Sequence, residues 1–328
     1  NVIGVQPANY EYVLMVDADT EVAPDCLTRL VSACMNDSKI MGLCGETRIA
    51  NEKQSWITAI QVYEYYISHH LAKAFESLFG SVTCLPGCFS MYKLYQKKGD
   101  KKVPVLVDSG IIHNYSESVV DTLHKKNLLM LGEDRYLTTL MLQTFPELSM
   151  KFTPDSYCLT IVPDKFAVLL SQRRRWINST IHNLFELSMI NDLCGCLIFS
   201  MRFVVVLDLF ATLVMPASVA YLGYLIYTIS QNPGDNIMII YLIAATYAMQ
   251  AVIFLVKRQW QHIGWMIVHF LAMPVFYMYI PLYSFWHFDD FSWGQTRRVE
   301  GDSGKGGHEG DDEKFDPASI PTAKWDEY

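Results

Sequence analysis

Asp17-Ala18-Asp19, Glu133-Asp134-Arg135 and Gln172-Arg173-Arg174-Arg175-Trp176 are the places in this chain where residue type and spacing could support chemistry. Two carboxylates two residues apart can offer hard oxygen ligands to one Mg²⁺ or Mn²⁺, and such a cation neutralises the diphosphate released when a sugar leaves a nucleotide. A carboxylate such as Asp134 can take the proton of an attacking hydroxyl, as a one-step inverting transfer requires. Gln172, Arg175 and Trp176 share one helical face and combine an amide, a fixed cation and a flat ring, which suits a diphosphate and a stacked sugar. Each cluster also has a plainer reading. Asp17 and Asp19 would be a solvated loop, Glu133 and Asp134 would favour the first turn of a helix, and the arginines would mark a basic amphipathic helix on a membrane surface. On that last reading Arg173 and Arg174, pointing away from the Gln172 face, meet lipid head groups.

The elements around these clusters predict an α/β domain. Tyr12 to Val16 is an unbroken apolar run of the kind buried on both faces of a parallel sheet, and Asp17 and Asp19 stand at its C-terminal end, where open α/β sheets bind ligands. Pro24 opens a helix with Leu27, Leu30, Val31 and Cys34 on one face, and Met41 to Cys44 reads as the next short strand. Apolar residues at three- and four-residue steps predict a long amphipathic helix from about Gln54 to Phe79. It carries His69 and His70, which have no third ligand at metal spacing and read as structural. Ser81 to Tyr92 reads as strand, Leu85-Pro86-Gly87 turn, strand, and 96–127 as an irregular surface insertion. Leu128 to Leu131 is a second apolar, strand-like run tipped by Glu133 and Asp134. A strand over Phe152 to Val162 and a helix from Asp164 through the arginines follow.

Beyond the arginines the composition changes. Hydrophobic residues make up 51% of the 328, and three nearly uncharged stretches, 203–229, 237–256 and 264–287, are each long enough to cross about 30 Å of hydrocarbon. Lys257 and Arg258 precede the third stretch and Arg297 and Arg298 follow it, so both flanks look cytosolic. With Pro274 and Pro281 inside, this stretch is expected to enter and return as a pair of short helices, while the first two cross. A net charge of −8 argues against nucleic acid as a partner. The eight cysteines contain no CxxC pair and read as reduced thiols. The polar tail from Glu300 reads as disordered. This divides the chain into a catalytic part over 1–181, an interfacial helix over 182–201, membrane or interfacial helices over 202–290, and a cytosolic loop and tail over 291–328. The chain reaches its first core strand within about ten residues without an initiator Met, as a C-terminal fragment would.

In order, Asp-x-Asp, Glu-Asp, Gln-x-x-Arg-Trp and membrane helices resemble the processive family-2 glycosyltransferases, which include cellulose, hyaluronan and chitin synthases. Cys84-Leu85-Pro86-Gly87-Cys88, Leu131-Gly132-Glu133-Asp134-Arg135, Gln172 to Trp176 and Trp293-Gly294-Gln295-Thr296-Arg297 narrow the resemblance to fungal chitin synthases with a Trp-Gly-x-Thr-Arg ending. The resemblance implies part of a GT-A-like fold, with UDP-N-acetylglucosamine as donor and the 4-hydroxyl of a growing β-1,4 chain as acceptor. It also implies a plasma-membrane protein, multi-pass with its catalytic domain cytosolic, that exports its product through the bilayer; homo-oligomers are compatible with it. By position, Asp17 and Asp19 correspond to the Mg²⁺ or Mn²⁺ and diphosphate site and Asp134 to the base. Gln172, Arg175 and Trp176, with Glu133 and Arg135, correspond to donor and acceptor contacts. Leu85, Pro86 and Gly87 match a gate at the tunnel mouth, and Trp293, Gly294, Thr296 and Arg297 a loop over the active site. Uridine-binding strands come before the Asp-x-Asp strand in such enzymes, so the fragment alone is expected to be inactive.

Overall fold

The structure is a computed structural model that describes residues 6–190, 193, 200–232, 234 and 237–293. Its centre is a five-stranded sheet of β1 (Tyr12–Val16), β2 (Thr20–Val22), β3 (Ile40–Ile49), β4 (Phe89–Lys93) and a long strand, Ser149–Thr160, in the order β1-β4-β3-long strand-β2. A separate hairpin, β5 (Tyr95–Lys98) with β6 (Lys101–Pro104), precedes the long strand, which is β7. Among the described residues only β3 and β7 pair in parallel; the other three pairings of the five-stranded sheet, and the hairpin, are antiparallel.

This corrects the reading of the first apolar run. Among the described residues β1 pairs antiparallel with β4 rather than lying in a parallel sheet, and Val13 and Val16 are 37% and 40% exposed. An apolar run shows that a strand has hydrophobic side chains on both faces, but not which neighbours cover them.

Helix α1 (Cys26–Asn36) covers one sheet face, with Cys26, Leu30 and Cys34 against Leu43, Phe89 and Met91. Leu27, expected on that face, is exposed. The predicted long helix is present as α2 (Trp56–Tyr66), a π-helical turn (Ile67–Leu71) and α3 (Ala72–Leu78). Ser55 starts it with a reciprocal capping box to Thr58. The segment read as a surface insertion is ordered: besides the hairpin it holds α4 (Ser109–Tyr115) and α5 (Leu123–Leu129), with Val105, Ile111 and Leu128 buried. The stretch before Leu85 forms no strand.

Two further helices, α6 (Glu133–Thr144) and α7 (Phe166–Ser188), cover the other sheet face. Leu137, Met141, Leu184 and Leu187 there join Met41, Cys44, Leu85 and Met150 in the largest core. Helix α7 continues well past residue 181 and is packed into the domain, so only its last turns fall in the range expected for an interfacial helix.

The three apolar stretches are α8 (Met201–Gln231), α9 (Ile237–Val256) and a continuous helical run Gln261–Trp286, each long and apolar enough to cross a membrane. The last run comprises α10 (Gln261–Pro274), a π-helical turn (Val275–Tyr279) and α11 (Ile280–Trp286). It has no return loop, contrary to the expected pair of short helices. Proline lacks an N–H and crowds the carbonyl four residues back, and the wider π turn between Pro274 and Pro281 accommodates that without breaking the helix.

Candidate active site

Asp17, Ala18 and Asp19 form the turn from β1 to β2, closed by the Thr20 N–H on the Asp17 carbonyl at 3.0 Å. The Asp17 N–H in turn reaches the Cys88 carbonyl at 3.3 Å, which ties this turn to the end of the Leu85-Pro86-Gly87 loop. Asp17 is exposed. Its carboxyl is nonetheless raised above the ordinary aspartate value by the protein packed around it, and then by the charges of Asp19 and Asp134.

The second acid cluster arises differently from the expected strand end. Residues 123–129 are helical, and Glu133 and Asp134 open α6, the arrangement of the plainer reading, in which acids offset the unpaired N–H groups of a first turn. What makes Asp134 unusual is tertiary. Its Oδ2 accepts the Gly87 N–H at 3.1 Å and its Oδ1 the Arg135 N–H at 2.7 Å. One turn further along α6, Thr138 Oγ1 accepts the Leu85 N–H at 3.1 Å. The loop thus grips α6 at two points and holds the carboxylate in one orientation. Leu85, expected in a gate, is fully buried in the core, while Pro86 and Gly87 are half-buried, Gly87 against Asp134.

Gly132 sets the distance from α6 to α7. A Cβ there would lie 2.5 Å from the Cβ of Ser179, a backbone-anchored atom on a buried stretch of helix, so only glycine allows this approach. Ser179 is one turn beyond Arg175, and the approach brings the Glu133 end of α6 to Arg175. Glu133 is raised above the ordinary glutamate value by burial and by Asp134 and Asp17, against the hydrogen bond to its own backbone and the charge of Arg175. Burial lowers Arg175, as does its neighbour Arg174, while Glu133 opposes them. The Arg175 guanidinium lies 4.4 Å from the ring centroid of Trp293, whose Nε1 donates to the Met130 carbonyl at 3.0 Å.

The structure therefore brings Asp17, Asp19, Gly87, Glu133, Asp134, Arg175 and Trp293 into one neighbourhood. Gln172 and Trp176 are directed differently. Gln172 accepts from Arg173 at 2.8 Å, and the Trp176 ring packs on the Arg173 guanidinium at 4.1 Å and on Tyr65. Arg135 sits deeper, beside Cys84, Asp134 and Glu76; burial works to lower it, but those groups hold it above its ordinary value. Gly294, Thr296 and Arg297 lie outside the described residues. His69 and His70 behave as structural groups: burial drives His69 down to about 3, and His70 Nδ1 lies 3.3 Å from Glu46.

The clearest correction concerns Arg173 and Arg174, which do not meet lipid. They are 4% and 1% exposed. Arg173 pairs with Glu64 of α2 at 2.5 Å and Arg174 with Asp290 at 2.9 Å. Glu64 and Asp290 were not singled out by sequence because each looked like an ordinary polar residue beside apolar ones. Two adjacent cations on a helix that also carries apolar residues on several faces were the available signal that they needed partners inside the fold.

Among the described residues, no three His, Cys, Asp or Glu side chains converge as a preformed metal cage. The donors present still fit a hard divalent cation. Asp17 and Asp19 are oxygen ligands on one turn, and the like charges that raise Asp17 are what such a cation would relieve.

A sequence profile of the family described as chitin synthase matches residues 1–328. The chain is 60% identical to chitin synthase 5 of Pyricularia oryzae, covering all of this chain and 18% of that protein. It is 60% identical to chitin synthase csmB of Aspergillus niger, covering all of this chain and 19% of that one. Chitin synthase 6 of Mycosarcoma maydis is 58% identical, with 100% and 28% covered. The chain thus spans about a fifth of the length of the first two of these relatives. Among solved structures, the mannosyltransferase PcManGT from Pyrobaculum calidifontis, in complex with GDP-Man and Mn²⁺, aligns over 81% of this chain and 64% of its own at 14% identity and a TM-score of 0.43, a likeness too slight to bear on the site. With the family profile matching end to end and relatives this similar over the whole chain, the chain belongs to the chitin synthase family.

Proposed function

We propose that this chain is part of the catalytic domain, with adjoining membrane helices, of an enzyme that transfers N-acetylglucosamine from UDP-N-acetylglucosamine to the 4-hydroxyl of a growing β-1,4 chain. The observation that carries this reading is Asp134: a carboxylate fixed by the Gly87 N–H at 3.1 Å, one helix start away from Arg175 and beside the Asp17-Asp19 turn. Asp134 takes the proton of the acceptor hydroxyl as that oxygen attacks the anomeric carbon. The bond to UDP breaks on the opposite side, its electron pair leaves with the diphosphate, and configuration inverts. Arg175 faces the leaving diphosphate with a fixed positive charge. Asp17 and Asp19 are the residues that would hold Mg²⁺ or Mn²⁺, which supplies further positive charge to the diphosphate when bound.

The test is synthesis by the full-length protein from radiolabelled UDP-N-acetylglucosamine. A chitinase-sensitive polymer is expected; a polymer degraded instead by hyaluronidase or cellulase would move the chain to another product.

The reading also includes a topology. α8 and α9 cross the bilayer, whereas the Gln261–Trp286 run lies along the cytosolic boundary, because α10 packs on α2 and α11 on α7, both helices of the sheet domain. Cysteines placed at Ser230 and Ser303 report this in sealed cells lacking other reactive thiols. An impermeant maleimide should label position 230 and spare 303, and labelling of both would mean that the third run crosses.

A further inference from the structure

Arg174 is the largest fully buried side chain among the described residues, and its partners are not on the sheet. Its Nη1 donates to the Asp290 carbonyl and lies 2.9 Å from the Asp290 carboxylate. Its Nη2 donates to the Ser292 carbonyl at 2.5 Å and approaches the Ser292 hydroxyl at 3.4 Å. One turn along the same face of α7, Asn178 Nδ2 donates to the Ser284 carbonyl at 3.0 Å and reaches the His287 carbonyl at 3.4 Å. Two side chains of α7 therefore satisfy the free carbonyls that α11 leaves at its C-terminus, and the extended residues that follow. The Ser292 N–H closes the segment onto Asp290 Oδ1 at 2.9 Å. Asp290 is held below the ordinary aspartate value: burial alone would raise it, and the Ser292 hydrogen bonds and the Arg174 charge outweigh that.

The next residue is Trp293, which stacks on Arg175 and donates to the Met130 carbonyl. Arg174 and Arg175 are adjacent in sequence and so diverge by about 100° around the helix. One holds the incoming segment while the other receives the tryptophan. We propose that Arg174 is a positioning residue: it latches residues 290–292 to α7 and thereby sets Trp293 against Arg175 at the site, joining the end of the α10–α11 run to the diphosphate-facing cation. This rests on the function proposed above. Only an arginine can do it, since a planar fork with several donors bonds two carbonyls and a carboxylate at once, whereas a lysine amine is a single point of charge.

The experiment uses the full-length membrane protein and two independent readouts. The first is a cysteine at Phe291 in a background without other reactive thiols. Its labelling by a maleimide should be several-fold faster with Arg174→Ala, and intermediate with Arg174→Lys or Asp290→Asn. Labelling unchanged in all three overturns the latch. The second readout is turnover per folded protein. Arg174→Lys and Trp293→Ala should each lower kcat more than they raise KM, and the double variant should be no slower than Trp293→Ala alone, because both remove one arrangement. Losses that multiply would assign Arg174 a structural role independent of Trp293 and overturn the proposal. A wild-type protein making no polymer would sink the functional reading, and the labelling result would still decide the latch.

Discussion

Leu27 and Leu242 are both mostly exposed leucines on helices, at 52% and 69%, yet their surroundings differ. Leu27 lies on α1, whose other face buries Cys26, Leu30 and Cys34 against the sheet. The leucine is one apolar residue among polar neighbours, as is ordinary on a protein surface. Leu242 lies on α9, which over its 20 residues buries only Phe254 and exposes Ile237, Met238, Ile240, Tyr241, Met249, Val252 and Val256 as well. An apolar surface of that extent cannot face water at tolerable cost. The sheet domain buries most of its large hydrophobic residues internally, whereas α9 exposes most of its own and is long and apolar enough to cross a membrane. Exposure alone does not separate the two; the extent of apolar surface around each residue does.

The difference can be broken by substitution, beginning with chemistry, which the comparison confines to the sheet domain. Asp134→Asn in the full-length enzyme keeps the size but removes the base, and its single oxygen can accept from only one of the Gly87 and Arg135 N–H groups. Polymer synthesis should fall by about 10²- to 10⁴-fold while UDP binding, measured by calorimetry, stays within a few-fold. A parallel loss of UDP affinity would put Asp134 in the donor site.

Next in size is the seam between α7 and α2. Arg173→Ala leaves Glu64 buried without its partner and should destabilise the protein by about 3–5 kcal/mol, whereas Arg173→Met with Glu64→Leu should cost far less. Denaturant unfolding in detergent gives both values. Equal losses would mean that packing rather than charge sets the seam.

The leucines themselves give the third test. Leu242→Arg should raise the cost of membrane insertion by about 3–4 kcal/mol if α9 lies in hydrocarbon, seen as loss of alkali-resistant membrane association. Leu27→Arg should change stability by no more than about 0.5 kcal/mol. Indifference at Leu242 would return α9 to a protein interface.

The smallest effect concerns Asp17. Its folded pKa is raised, so the fold favours the protonated form, and its ionisation works against stability as pH rises through that raised value. In the metal-free protein Asp17→Asn should therefore be neutral or stabilising by less than about 1 kcal/mol near neutral pH, the effect fading as pH falls below the folded pKa. The stabilisation gained on adding Mg²⁺, read from melting temperatures with and without chelator, should disappear in the variant. Wild-type Mg²⁺ stabilisation in Asp17→Asn would remove this carboxylate from the metal site.

The sequence by itself determined the elements whose signal is local. The long helix from Ser55, the three apolar helices and the strand near Phe152 are legible because periodicity and composition act within one element. The Asp-x-Asp, Glu-Asp and Gln-x-x-Arg-Trp phrases, with the apolar stretches after them, were enough to name the family. The tertiary structure decided what depends on distant neighbours. β1 pairs antiparallel because its partner is β4, a strand far along the chain. Asp134 is oriented because Gly87, 47 residues away, donates to it. Arg173 and Arg174 are buried because Glu64 and Asp290, 109 and 116 residues away, arrive to meet them. A charged side chain is placed by whether a partner reaches it in low dielectric, and no local pattern records the partner's arrival.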